Sequence, residues 1–221
     1  VLRDVAFHLL KKSQEGEILI MNTMTNTHEE KETAEIAAPS KPLYGLFLEQ
    51  LAEMHSAESQ MAKALPLVAK AAQSEDLKAL LELHLKETQG HVATIEQIAG
   101  GMGENLAKKT SYAMRGMLKE AVVLMVTKVN SPLLDTALIA AAQKIEHYEI
   151  ASYGTLCAWA RELGYPHELA LLTSTLKQEK HADMLLTGLA TGSLPLAELI
   201  KELSLEETGV SPAVAQRAPG K

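Results

Sequence analysis

Apolar residues recur at alternating steps of three and four along four long stretches of the chain, the spacing that lines one face of an α-helix. The punctuation between these stretches is equally regular. Ser40 with Pro42 just inside marks a helix start, and the apolar pattern runs to about Ala72, with Pro66 expected to kink the last turns. Ser74 caps a second helix that ends at Gly100-Gly101-Met102-Gly103. A polar stretch leads to a shorter helix from about Ser111 to Val129. Ser131-Pro132 opens a third long helix that stops at Gly164, and Tyr165-Pro166 opens a fourth that ends near Thr191-Gly192. A short helix around Leu194–Leu203 and a Pro/Gly-containing tail complete the pattern.

The four long helices form two pairs, each joined by a short turn, and short turns make antiparallel neighbours. About thirty residues with their own helix join the pairs, as the long crossover of a ferritin-like bundle does. The expected class is all-α: a ferritin-like antiparallel four-helix bundle with a crossover that carries a short extra helix. Composition agrees, with 47 % hydrophobic residues but only 4 % aromatic, because Ala, Leu and Met suit helices better than strands. Three regions are expected. Residues 1–40 read as an N-terminal extension, flexible or upstream of a native start at Met21 or Met24; residues 41–192 are the bundle; residues 193–221 are the short helix and tail.

The buried stripe of each long helix carries acids near its middle. On the first it reads Phe47, Leu51, Met54, Glu58, Met61, Leu65, Val68, Ala72; on the second Leu77, Leu80, His84, Glu87, His91, Thr94, Ile98. The third gives Ile139, Ala142, Glu146, Glu149, Tyr153, Leu156, Ala160, Leu163, and the fourth Leu169, Leu172, Leu176, Glu179, Asp183, Leu186, Ala190. None contains Lys or Arg. In an antiparallel bundle the midpoints share one level, so Glu58, Glu87, Glu146 and Glu179 should converge, with Glu149 one turn away. A buried unpaired carboxylate costs several kcal/mol, and several together repel one another. Two divalent metal ions would balance four such charges, with His84 adding a nitrogen donor. An oxygen-rich donor set without thiolate suits Fe, or Mn, better than structural zinc. A bland reading stands beside this one, since single acids on a helix seam often belong to a polar cavity.

Other residues carry weaker signals. His91 lies on the second seam as a ligand or as a donor behind one, and Tyr153 can hydrogen-bond a ligating carboxylate. Asp183 sits one turn from Glu179. His147 is turned about 100° from Glu146, which favours outer hydrogen bonding over ligation. His55 and His181 flank their seams, Cys157 reads as a small buried residue, and Lys177 and Lys180 belong to the solvated face. With 21 basic against 28 acidic residues, a net charge of −7 disfavours a nucleic-acid partner. No apolar run reaches the ~20 residues of a membrane span. One cysteine excludes an intrachain disulfide and fits a reducing compartment, so a cytoplasmic location is expected.

The segments His84 to Gly90 and Asp135 to Leu156, above all Glu146 to Thr155, resemble the YciE/YciF family of ferritin-like stress proteins, over roughly residues 43–190. The resemblance implies a homodimer and a ferroxidase-like di-metal centre, with ligands at Glu58, His84, Glu87, Glu146, Glu149 and Glu179. It also departs from the wider superfamily. The usual Glu-x-x-His signature is reversed in His84-x-x-Glu87, and Glu179 has no His three residues on. The leading expectation is a di-iron carboxylate protein that binds Fe(II) and oxidises it with peroxide or oxygen in stress protection. The alternatives are a di-manganese enzyme that dismutates peroxide, and a helical interaction protein with a structural or vestigial site.

Overall fold

The computed structural model describes residues 42–192; the expectations for residues 1–40 and 193–221 lie outside them. Five helices account for the described chain: α1 (Pro42–Ala71), α2 (Glu75–Gly101), α3 (Tyr112–Thr127), α4 (Leu134–Leu163) and α5 (Pro166–Thr191). The predicted punctuation sets most of their ends. Ser74 accepts a bond from the Leu77 amide at the start of α2, and Ser111 does the same for Met114 at α3. At the end of α4, Gly164 takes φ 77°, which lets Tyr165 N–H reach back to the Ala160 carbonyl at 2.9 Å. α4 starts later than Ser131-Pro132 implied, because Ser131 to Leu134 closes a separate turn. Pro66 lies on the exposed side of α1, and helix continues through it to Ala71.

α1 packs on α2 and α4 on α5, while α1 also meets α4 and α2 meets α5. The long helices therefore occupy the corners of a square, and α3 lies outside against α1 and α4. Side-chain bonds fix their directions. At one end, both Asp135 carboxylate oxygens accept from the α1–α2 turn, from Gln73 N at 2.8 Å and Ser74 N at 2.7 Å. At the other end, Tyr44 and Phe47 near the start of α1 pack against Tyr165 in the α4–α5 turn. Thus α4 begins where α2 begins, and the crossover runs the length of the bundle. This is the ferritin-like arrangement. Asp135→Ala should lower stability by about 1–2 kcal/mol, the usual cost of losing a carboxylate cap on two amides; urea unfolding followed by circular dichroism measures it.

The core is built of Leu, Met, Ala and Ile from all four long helices, with Met114 from α3. Within it, among the described residues, nine buried polar or charged residues appear and none is Lys or Arg. Tyr148, Ser111 and Glu53 link α4, α3 and α1 at the flank, the Tyr148 hydroxyl lying 3.0 Å from Ser111 Oγ.

Candidate metal centre

The third predicted stripe is buried along its whole length on α4. It carries Glu146 and Glu149 inward, with exposures of 1 % and 0 %. α1 contributes Glu58 and α5 Glu179, both fully buried. On α2 the buried line departs from expectation. It steps from His84 to Thr88, His91, Ile95 and Ile98, so Glu87 and Thr94 fall on the flank. The reason is register: a step of four from His84 keeps bulky Ile95 inside, where the earlier step of three would have spent the interior on Thr94. Glu87 is 19 % exposed, with Oε2 3.5 Å from His84 Nδ1. α5 shows the same effect, turning Asp183 and Ala190 outward while Thr175 and Ala182 pack inside.

Two donor groups result. His84, Glu146, Glu149 and Glu179 form one, and Glu58, His91 and Glu179 the other; in each, one donor atom per residue lies within 4.8 Å of the rest. Glu179 belongs to both. Of ten buried side-chain N and O atoms without a hydrogen-bond partner among the described residues, nine belong to these six residues. The tenth is Thr88 Oγ1, on α2 between the two histidines. Buried polar atoms are ordinarily satisfied. Such a concentration of unsatisfied donors and acceptors around common centres is what a metal-binding interior offers.

The residues behind these groups hold them in place. His91 Nε2 lies 3.0 Å from Gln178 Oε1, so in the neutral ring a proton there donates to Gln178 and leaves the Nδ1 lone pair free for a metal. That nitrogen is 2.9 Å from Glu179 Oε1 and 3.6 Å from Glu58 Oε2. His84 Nε2 stands 3.3 Å from Glu146 Oε1, with Glu87 behind the ring at Nδ1. A carboxylate or amide behind a histidine fixes its tautomer and raises its basicity. The Tyr153 hydroxyl donates to Glu58 Oε1 at 2.5 Å, and its ring meets that of His91 edge-on. Tyr153→Phe should destabilise the protein by about 1–3 kcal/mol by orphaning a further carboxylate oxygen, as denaturant unfolding in chelator would measure. No sequence signal marks Gln178, which starts from an exposed position of α5.

Electrostatics follow from this crowding. Burial, then the charges of Glu179 and Glu58, push the Glu146 carboxyl up to about 8 against the opposing pull of His84. Burial holds the Glu149 carboxyl well above its ordinary value, assisted by Glu58, Glu179 and Glu146, and burial also raises Glu58. For the histidines burial opposes the charged ring, but the surrounding carboxylates outweigh it and lift His84 to about 9 and His91 to about 11. Without cations, protons hold the cluster together.

The remaining candidates are peripheral. His147 is 70 % exposed and stands 3.5 Å from Asp183, itself 22 % exposed. His55 pairs with Glu96 on the α1–α2 flank. Cys157 is buried, with Thr173 as its neighbour. A surface groove of about 270 Å³ between α1 and α3 is lined mainly by apolar residues and contains none of the ligand-type residues; the candidate chemistry lies in the closed interior instead.

A four-helix bundle whose midpoint is lined by carboxylates and imidazoles from all four long helices defines a ferritin-like protein with a candidate metal centre. A profile described as "Domain of unknown function (DUF892)" matches residues 43–198, and the chain belongs to that family, which includes the stress protein YciF. Protein YciF of Escherichia coli is 39 % identical over 155 residues, covering 70 % of this chain and 93 % of its own. Its crystal structure superposes with a TM-score of 0.66 at 40 % identity, covering 69 % of this chain and 97 % of that one. YcfI of Rhodopseudomonas palustris gives 0.65 at 36 % identity, covering 69 % and 98 %. A Xanthomonas campestris protein, 18 % identical with a TM-score of 0.53 over 74 % and 97 % of the two chains, shares the fold. No described helix is long and apolar enough to cross a membrane.

Proposed function

We propose that this protein holds a pair of divalent metal ions, iron in the first instance, and oxidises Fe(II) with peroxide or oxygen as part of a stress response. Nine clustered side-chain atoms without a hydrogen-bond partner, among described core residues that include no Lys or Arg, are the observation that supports it most. His84, Glu146 and Glu149 would hold one ion and Glu58 and His91 the other, with Glu179 shared. The four carboxylates then carry four negative charges against four positive ones. Bound iron supplies the electron chemistry, as donor to the peroxide or oxygen. The chain's own part is to fix the donors, through Gln178 behind His91, Glu87 behind His84 and Tyr153 on Glu58. It also keeps bulk water out with the surrounding Leu and Met side chains. His91 would supply the imidazole that is lacking three residues after Glu179, so each ion would receive one.

The same oxygen-rich donors accommodate Mn, and peroxide dismutation at a manganese pair is the second reading. Anaerobic titration of metal-free protein with Fe(II), then with peroxide, separates the cases. Two Fe(II) bound per chain and oxidised on adding peroxide supports the first. Oxygen evolution from peroxide by the manganese form alone supports the second, and no binding of either metal defeats both.

A further inference from the structure

Resting on the metal-pair reading, we propose that divalent cations reach the buried donors along the seam between α4 and α5, caught first between Asp183 and His147. The two side chains come from different helices, with His147 Nε2 3.5 Å from Asp183 Oδ1. Each is tied by its helix to a buried donor. His147 is the neighbour of Glu146 on α4, and Asp183 lies one turn beyond Glu179 on α5. The pair lies outside the donors, at 70 % exposure for His147 and 22 % for Asp183 against 1 % for Glu146 and 0 % for Glu179.

A surface Asp–His pair alone would mean little. What gives it direction is the group behind it: Glu146 Oε2 is buried without a hydrogen-bond partner, and the charge of Asp183 is felt at the Glu146 carboxyl. Gln143 borders the pair, its amide donating to Thr187 at 2.8 Å and reaching Asp183 at 3.5 Å. The seam is thus polar at its mouth and acidic at its base. Carboxylate and imidazole are donors to which a hydrated Fe(II) or Co(II) ion can exchange water stepwise. Local negative charge of this kind raises cation on-rates by about 10-fold or more.

Stopped-flow mixing of metal-free full-length chain with Co(II) alone, followed by visible absorption, tests the route. Asp183→Asn and His147→Gln should each load about tenfold more slowly at low ionic strength, yet reach the wild-type end point of two ions per chain. Asp183→Glu should restore much of the rate. The exposed Glu162→Gln, which removes the same charge elsewhere, should load at the wild-type rate. Wild-type loading rates in both seam variants overturn the route while leaving the metal pair intact. Failure of the wild-type protein to take up Co(II) or Fe(II) defeats both readings.

Discussion

Replacing Glu179 with Gln is expected to abolish tight binding at both positions, whereas Glu58→Gln should remove only one ion. The difference follows from membership. Glu179 belongs to both donor groups, while Glu58 belongs only to the one with His91. Losing a residue behind a ligand already costs about 10–100-fold in metal affinity, and losing a shared ligand costs at least the upper end of that range for each ion. The amide keeps the shape of the carboxyl, so the fold should persist. It also removes the carboxylate that pairs with His91 in the metal-free core, so the chelated variant should be less stable than wild type. Calorimetric titration with Fe(II) under anaerobic conditions, beside thermal unfolding in chelator, reads both effects. Two ions still bound tightly to Glu179→Gln would refute the shared role.

Metal loading should raise the melting temperature strongly, and more so at pH 8 than at pH 6. One ion at a thousand times its Kd adds about 4 kcal/mol, roughly 8–16 °C for a domain of this size. The pH dependence has two sources with one direction. Glu146 is lifted from its ordinary 4.5 to about 8 in the metal-free fold. Between those values the folded chain holds more protons than the unfolded one, so stability falls as pH rises through that window. His84 and His91, lifted from 6.5 to about 9 and about 11, contribute stability that is complete below 6.5 and lost as pH climbs through the raised values. Metal-free protein therefore weakens with rising pH. Cations displace the same protons and bind better as pH rises, so the gap between the two forms widens. Differential scanning calorimetry with and without chelator at both pH values measures it; an equal or narrowing gap would show that the protons and the cations do not share these groups.

Much of this centre was legible from spacing because charge on a seam is conspicuous. Glu58, Glu146, Glu149 and Glu179 stand at the interior positions their stripes predicted, and α4 followed its stripe throughout. The reversed pair on α2 was harder. Steps of three and four fit one sequence in more than one register, and only packing against α1 and α5 selects His84, Thr88 and His91 over His84, Glu87 and His91. Glu87 thereby moves from expected ligand to the flank behind His84, while His91 stays inside as its seam predicted. Asp183 shifts outward on α5 for the same reason. Gln178 was invisible because its importance lies in a bond to another helix, 87 positions away. The capping role of Asp135 was hidden likewise, being made across the end of the bundle. Seam patterns report which residues face inward; they do not report which side chain stands behind which.

The most direct test is an anomalous difference map from crystals of protein grown with Fe(II) under anaerobic conditions, recorded at the iron edge. Two peaks are expected inside the bundle, one touching His84, Glu146 and Glu149, the other Glu58 and His91, with Glu179 reaching both. A map without interior peaks, with these carboxylates turned to water or paired with lysine or arginine, would contradict a resident metal pair.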